Sequence, residues 1–324
     1  MAKRTVLQCG PGPLHGDYLQ AQFEERYEVV GDDALGDPNV LQRIEGVLTK
    51  PSAPTKIDRR LLESMPALKV VSTCSVGYDH IDAKVCKERN IALGNTPGLV
   101  DGATADVTWA LILAAGRRLL ELHRFCTTRT SASSKPSFFG KEVYGSTLGI
   151  VGMGRVGLAV ARRALGFDMK LIYHNRRRRD AATEEQFKAE YVSDLKELMS
   201  RSDYIVNCLP ASAETYRLFG TTVFAAAKQD AVFVNVGRGS SVDHDALVES
   251  LKSGRLLSAG LDVTDPEPLP RDHPLLNMEN VIIVPHVGTD TMATCVRIAE
   301  MALRNLQAGL DGVPLEASPL VSTT

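Results

Sequence analysis

The sequence predicts an α/β protein made of two Rossmann-like, doubly wound parallel-sheet domains with a cleft between them. Three observations predict it. Short Val/Ile/Leu runs recur along the chain, each followed by an amphipathic stretch, as expected of parallel strands buried on both faces and joined by crossover helices. The runs fall into two series, separated by a turn cluster and a long helical stretch. At 324 residues the chain also exceeds what one hydrophobic core ordinarily serves.

In chain order, the first series comprises TVLQC (5–9), EGVLT (45–49), KVVST (69–73) and IALGN (91–95). Asn95-Thr96-Pro97-Gly98 is a turn cluster. From about Asp101 or Thr104 a long helix is predicted, as the crossing between domains. The second series comprises LGIVG (148–152), KLIYH (170–174), YIVNC (204–208), AVFVNV (231–236), AGLDV (259–263) and VIIVP (281–285). The last amphipathic segment, TMATCVRIAEMALRNLQAGLDG, predicts a helix ended near Gly309 that returns to the first domain. The predicted division is therefore 1–100 plus 291–324 as a substrate-binding, flavodoxin-like domain, and 101–290 as a dinucleotide-binding Rossmann domain.

Composition narrows the function classes. A formal net charge of −2 gives no global field to hold nucleic acid or an anionic membrane, so neither is an expected partner. Cys9, Cys74, Cys86, Cys126, Cys208 and Cys295 form no C-x-x-C pair, which points to reduced thiols rather than a disulfide framework or a zinc site. The apolar part of MAKRTVLQCGPG is too brief for a signal peptide. No segment approaches the roughly 20 apolar residues that span a bilayer. A cytoplasmic location is expected.

GIVGMGRVG places Gly152, Gly154 and Gly157 in G-x-G-x-x-G spacing directly after an apolar run and at the start of a helical pattern. In that setting the glycines permit a tight turn, close approach of backbone to a pyrophosphate, and close helix packing. The helix N-terminus, with Arg155 and Val156, then offers unpaired N–H groups to the anion.

A unit selective for NAD carries an Asp or Glu about 20 residues after the glycines, on the adenosine ribose. Here LIYHNRRRRD puts Asn175, Arg176, Arg177, Arg178 and Arg179 after the strand, with no carboxylate before Asp180. Guanidinium groups bind a 2′-phosphate through charge-assisted bonds, and a carboxylate would repel it. NADP(H) is the predicted cofactor and NAD(H) the alternative; Arg178 and Arg179 fit a solvated charge run equally well.

Three further stretches follow second-series strands, at the strand ends where ligands bind in open α/β sheets: VNVGRGS with Arg238, LDVTDPEPLP with Asp262 and Glu267, and VPHVGTD with His286. An Arg, a Glu and a His, each just past a buried strand, can converge on one cleft although far apart in sequence, and together they offer a planar cation and a proton donor. A His/Asp/Glu ligand set for a metal is not evident, and no metal is predicted.

Together with STCSVGYDHID (72–82) and GMGRVG, these stretches resemble the D-isomer-specific 2-hydroxyacid dehydrogenase family over nearly the whole chain. GLDVTDPEPLPRDHPLL with the arginine-bearing strand end resembles its animal-type glyoxylate/hydroxypyruvate reductases. The resemblance implies reduction of small 2-oxo acids, glyoxylate and hydroxypyruvate, by a homodimer joined around 101–122. It implies His286 as general acid, Glu267 as its charged neighbour, and Arg238 as the carboxylate or carbonyl ligand. Backbone N–H groups of Val76 and Gly77 complete the substrate site in this reading. Pro210, Val236, Asp262 and Gly288 join the cofactor set.

Rival readings are a phosphoglycerate dehydrogenase-like enzyme using NAD, and a dinucleotide-sensing corepressor. His15, His123, His244 and His273 are expected to be structural, and His80 to order its turn. The resemblance also places a tryptophan in the 130–140 loop, where this chain has Ser134 before Lys-Pro; Phe138 and Phe139 are the candidates to replace it. Trp109, in the long helix, is expected to serve packing.

Overall fold

The computed structural model describes residues 3–10, 14, 17–128 and 138–320; His15 and Ser134 lie outside them. The chain divides into two units, Met1–Val100 with Asp290–Thr324, and Asp101–Thr289. Asp290, assigned to the second domain from sequence, thus groups with the first.

The first unit contains β1 (Thr5–Gln8), β2 (Glu28–Val30), β3 (Ile44–Thr49), β4 (Val70–Thr73) and β5 (Ala92–Gly94). Among the described residues they form one parallel sheet in the order β2-β1-β3-β4-β5. Alternation of side chains explains the continuous apolar runs: Leu7, Val47 and Val71 face one core, while Val6, Leu48 and Val70 face the other. The helix Met292–Asp311 covers the second face with Ala299, Ala302, Leu306 and Leu310. Leu306 is fully buried, and its truncation to Ala would cost about 2–5 kcal/mol.

This last helix does return to the first unit, but Gly309 does not end it. A Cβ on Gly309 would lie 2.5 Å from Val70 Cβ, so the residue serves close helix–sheet approach. The stop comes at Gly312, whose φ of +71° is the left-handed cap glycine adopts without strain.

The second unit contains β6 (Thr147–Val151), β7 (Lys170–His174), β8 (Ala189–Tyr191), β9 (Tyr204–Asn207), β10 (Ala231–Asn235), β11 (Leu256–Leu261) and β12 (Val281–Ile283). Among the described residues the order is β12-β11-β10-β9-β6-β7-β8, parallel throughout. The order reverses between β6 and β9, a switch point where open α/β sheets bind ligands. One face packs Ile150, Val206, Val232 and Val234 beneath the helices Asp101–Gly116 and Arg155–Ala164. The other packs Val151, Ile205 and Phe233, with Phe219 and Phe224 against Phe233.

The helix Asp101–Gly116 is buried within its own unit. Trp109 stacks on Phe167 at 4.5 Å, and its indole N–H donates to Val160 O at 3.1 Å. No helix among the described residues is long and apolar enough to cross a membrane.

Candidate active site

The glycine loop leaves β6 through Gly152, whose φ is +95°; a side chain there would be strained. A Cβ on Gly157 would lie 2.5 Å from Gly152 O, so only glycine allows the helix Arg155–Ala164 to start this close to the strand. Gly154 caps that helix with no side-chain cap bond, and a Cβ built on it meets nothing within 4 Å. The N–H groups of the first turn thus have no side-chain cap, which fits a dinucleotide pyrophosphate. Arg155 is exposed at this turn, and Val156 packs half-buried against the core. The side chain of Asn175 accepts from Met153 N at 2.7 Å and ties the end of β7 to the glycine loop.

Past β7 the four arginines are unequal. Arg176 pairs with Glu214 at 2.6 Å, with both side chains largely exposed. Arg177 is exposed and has no ion pair among the described residues. Arg178 binds Glu184 through two bonds of 2.8 and 2.7 Å, and Tyr173 Oη donates to the same carboxylate at 2.6 Å. The bonds from Arg178, then from Tyr173, hold Glu184 at about 2, while burial pushes Tyr173 up to about 12. Asp180 caps the next helix by accepting from Thr183 N and Oγ1. Arg178 is thus committed to a structural pair, and Asp180 to a helix end.

Two buried asparagines shape the turn that presents Arg238. Asn207 and Asn235 end β9 and β10, both inaccessible to solvent. Asn207 Nδ2 donates to Asn235 Oδ1 and to Ser241 Oγ, while Asn235 Nδ2 and Ser241 Oγ both donate to Arg238 O. Val236 is buried beside this turn, and Pro210, after β9, is exposed. A satisfied amide network of this kind leaves the backbone at Arg238 one conformation.

Beyond β11 and β12 the chain brings Asp262, Glu267 and His286 together. Asp262, nearly buried, accepts from Val287 N at 2.8 Å and Gly288 N at 3.1 Å, and its own carbonyl accepts from His286 N at 2.9 Å. These bonds hold the turn in which His286 takes a φ of +55°, an uncommon conformation for a residue with a side chain. Burial raises the Asp262 carboxyl above its usual range, against the opposing effect of the two N–H donors.

His286 Nδ1 lies 2.7 Å from Glu267 Oε1. Hydrogen bonding to Glu267 raises the imidazole pKa; partial burial and the nearby Arg238 charge oppose it. With Nδ1–H donated to Glu267, Nε2 is the nitrogen left to exchange a proton. The loop bearing Glu267 is anchored from behind, because His244 Nδ1–H donates to Asp265 O at 3.0 Å.

The remaining predicted residues occupy simpler places. His273 accepts from Leu275 N at a helix start, His123 is exposed, and His80 Nε2 lies 3.1 Å from Thr73 Oγ1. Val76 and Gly77 follow β4 in the first unit; neither donates its N–H to a described residue. Phe138 lies under the Arg118 guanidinium at 3.7 Å, whereas Phe139 is 89% exposed. No disulfide joins the described cysteines, and burial pushes Cys9, Cys74 and Cys208 up to about 12, which leaves their thiols poorly nucleophilic. No group of three or more potential metal ligands occurs among the described residues.

Sequence reasoning missed Glu214, Glu184 and the Asn207–Asn235–Ser241 network. For the asparagines a signal existed: YIVNC and VFVNV each interrupt an apolar run with an amide. For the glutamates none did.

Residues 109–288 match the family described as D-isomer specific 2-hydroxyacid dehydrogenase, NAD binding domain. Over 301 residues the chain is 42% identical to glyoxylate/hydroxypyruvate reductase B of Escherichia fergusonii, covering 91% of this chain and 92% of the relative. A glyoxylate reductase from Paecilomyes thermophila has a similar structure, with TM-score 0.87, 29% identity, and coverage of 98% and 99%. The NADPH-dependent glyoxylate/hydroxypyruvate reductase of Sinorhizobium meliloti, solved with NADP and malonate, aligns with TM-score 0.84 at 28% identity, covering 95% and 93%.

Proposed function

Because the chain belongs to the D-isomer specific 2-hydroxyacid dehydrogenase family, we propose that it reduces the small 2-oxo acids glyoxylate and hydroxypyruvate, with NADPH as the preferred donor. The observation that carries this reading is the 2.7 Å His286–Glu267 pair, with the Arg238 charge close enough to act on the imidazole. When bound beside the glycine loop, the dinucleotide supplies the hydride that reaches the carbonyl carbon. Arg238 holds the substrate carboxylate or polarises its carbonyl, as a planar cation suits both. His286, whose protonated form Glu267 favours, passes the Nε2 proton to the developing alkoxide. Asp262 holds the His286 turn and borders the nicotinamide end of the cofactor.

The Val76 and Gly77 N–H groups belong to the proposed substrate site, and Arg176 and Arg177 to the proposed 2′-phosphate site. Working as a homodimer is part of the same reading, with Leu119 and Leu120 as exposed apolar contact residues. A chain whose described cysteines form no disulfide fits a reducing compartment such as the cytoplasm.

The test follows NADPH and NADH consumption separately with glyoxylate, hydroxypyruvate, pyruvate and phosphohydroxypyruvate. Faster use of glyoxylate and hydroxypyruvate with NADPH is expected. Equal or better use of NADH would overturn the cofactor assignment, and preference for phosphohydroxypyruvate the substrate assignment.

A further inference from the structure

The arginine run faces a carboxylate that the local sequence does not supply. Strand β7 ends without one, Asp180 is used as a helix cap, and Glu184 is committed to Arg178 and Tyr173. Glu214 comes instead from the segment after β9, across the switch point, and meets Arg176 at 2.6 Å. Its backbone is not loose. Thr215 Oγ1 donates to Pro210 O at 2.9 Å and accepts from Ser212 N at 2.8 Å, closing a turn around Glu214.

We propose that Glu214 is a cofactor-specificity residue that competes with the adenosine 2′ substituent for Arg176. This rests on the reading of Arg176 and Arg177 as the 2′-phosphate site. A 2′-phosphate carries about −1.5 to −2 charge and is repelled by the Glu214 carboxylate while drawn to the guanidinium that Glu214 occupies. A 2′-hydroxyl has the opposite relation to it: the carboxylate accepts its proton in a hydrogen bond, the task of the acidic residue missing from the end of β7. The Arg176–Glu214 pair is exposed, with side-chain exposures of 77% and 68%, so it is weak and readily displaced. Arg177 carries no such competitor among the described residues. Glu214 therefore tempers a preference for NADPH and keeps NADH usable.

The experiment measures Kd for NADP⁺ and NAD⁺ by calorimetry on the full chain, for wild type, Glu214→Gln, Arg176→Ala and the double variant, at low and high salt. Glu214→Gln should tighten NADP⁺ about fivefold and weaken NAD⁺ about twofold at low ionic strength, with both changes shrinking in high salt. In the Arg176→Ala background the NADP⁺ gain should shrink to less than half, because the pair is coupled. An unchanged Kd ratio in Glu214→Gln, while Arg176→Ala weakens NADP⁺, would overturn the role of Glu214 alone. If Arg176→Ala leaves NADP⁺ binding unchanged, the 2′-phosphate site itself is wrong and this proposal falls with it.

Discussion

The turn that carries His286 follows β12 and the run that carries Arg176 follows β7, at the C-terminal ends of strands on opposite sides of the seven-stranded sheet, and they are built on opposite physical terms. Around His286 the backbone is pinned: three bonds reach Asp262, His244 anchors the Glu267 loop, and the residue takes a left-handed φ. Around Arg176 and Arg177 the side chains are exposed and the one ion pair is open to solvent. Proton transfer needs fixed atoms within hydrogen-bond reach, and strain there is held by surrounding bonds. Choice between two dinucleotides needs only a local field, which exposed charges deliver and salt weakens.

The sharpest way to break this contrast is at the pinned corner. His286→Ala should lower kcat/KM for glyoxylate about 10³-fold while Kd for NADP⁺ stays within about twofold, as loss of a general acid predicts. Stopped-flow and calorimetry read the two quantities; undiminished turnover would remove His286 as the acid. Arg238→Lys should follow with about a 10²-fold loss, because an ammonium cannot reproduce the planar two-point contact. Recovery of wild-type KM in the lysine variant would show that charge alone suffices.

Glu267→Gln tests the electrostatics by pH. Glu267 raises the His286 pKa, so the protonated acid persists to higher pH in the wild type. Reductive kcat/KM should therefore fall as pH rises through that raised pKa, and Glu267→Gln should move the falling limb to lower pH. The loss should be about tenfold on the alkaline side and smallest below the ordinary histidine pKa, where both proteins carry imidazolium. The same sign holds for stability: the pair's contribution is full below the unfolded pKa of about 6.5 and is lost as pH rises through the folded value. An unmoved limb would separate Glu267 from the titration.

At the exposed run the effects should be smaller and salt-dependent. Arg176→Ala should weaken NADP⁺ about tenfold at low ionic strength and by less than about twofold near 1 M salt. A salt-independent loss would mean that Arg176 acts through packing, and the contrast between the two regions would not stand.

Comparing individual elements shows where sequence reasoning failed. The apolar runs located the central strands because parallel strands buried on both faces must be apolar at consecutive positions. Both strands it passed over, β2 and β8, are sheet edges of three residues, and β8 places exposed Glu190 between Ala189 and Tyr191. Each carries a glutamate among its three residues, which breaks the apolar run, whereas the equally short edge strands β5 and β12 lie within IALGN and VIIVP. The end of the last helix was misplaced for another reason. Gly309 is spaced like a stop, yet Val70, more than 200 residues earlier, is what requires a glycine there.

The sequence by itself determined the strand succession, the glycine spacing after β6, the excess of arginine after β7, and the presence of one Arg, one Glu and one His each just past an apolar run. Those are local properties, set by side-chain alternation and backbone freedom within a few residues. Only the tertiary structure decided which charges meet. Glu214 reaches Arg176 across 38 residues and Glu267 reaches His286 across 19, because parallel strands carry distant loops to the same C-terminal end of a sheet, and Coulomb and hydrogen-bond energies depend on distance in space rather than along the chain.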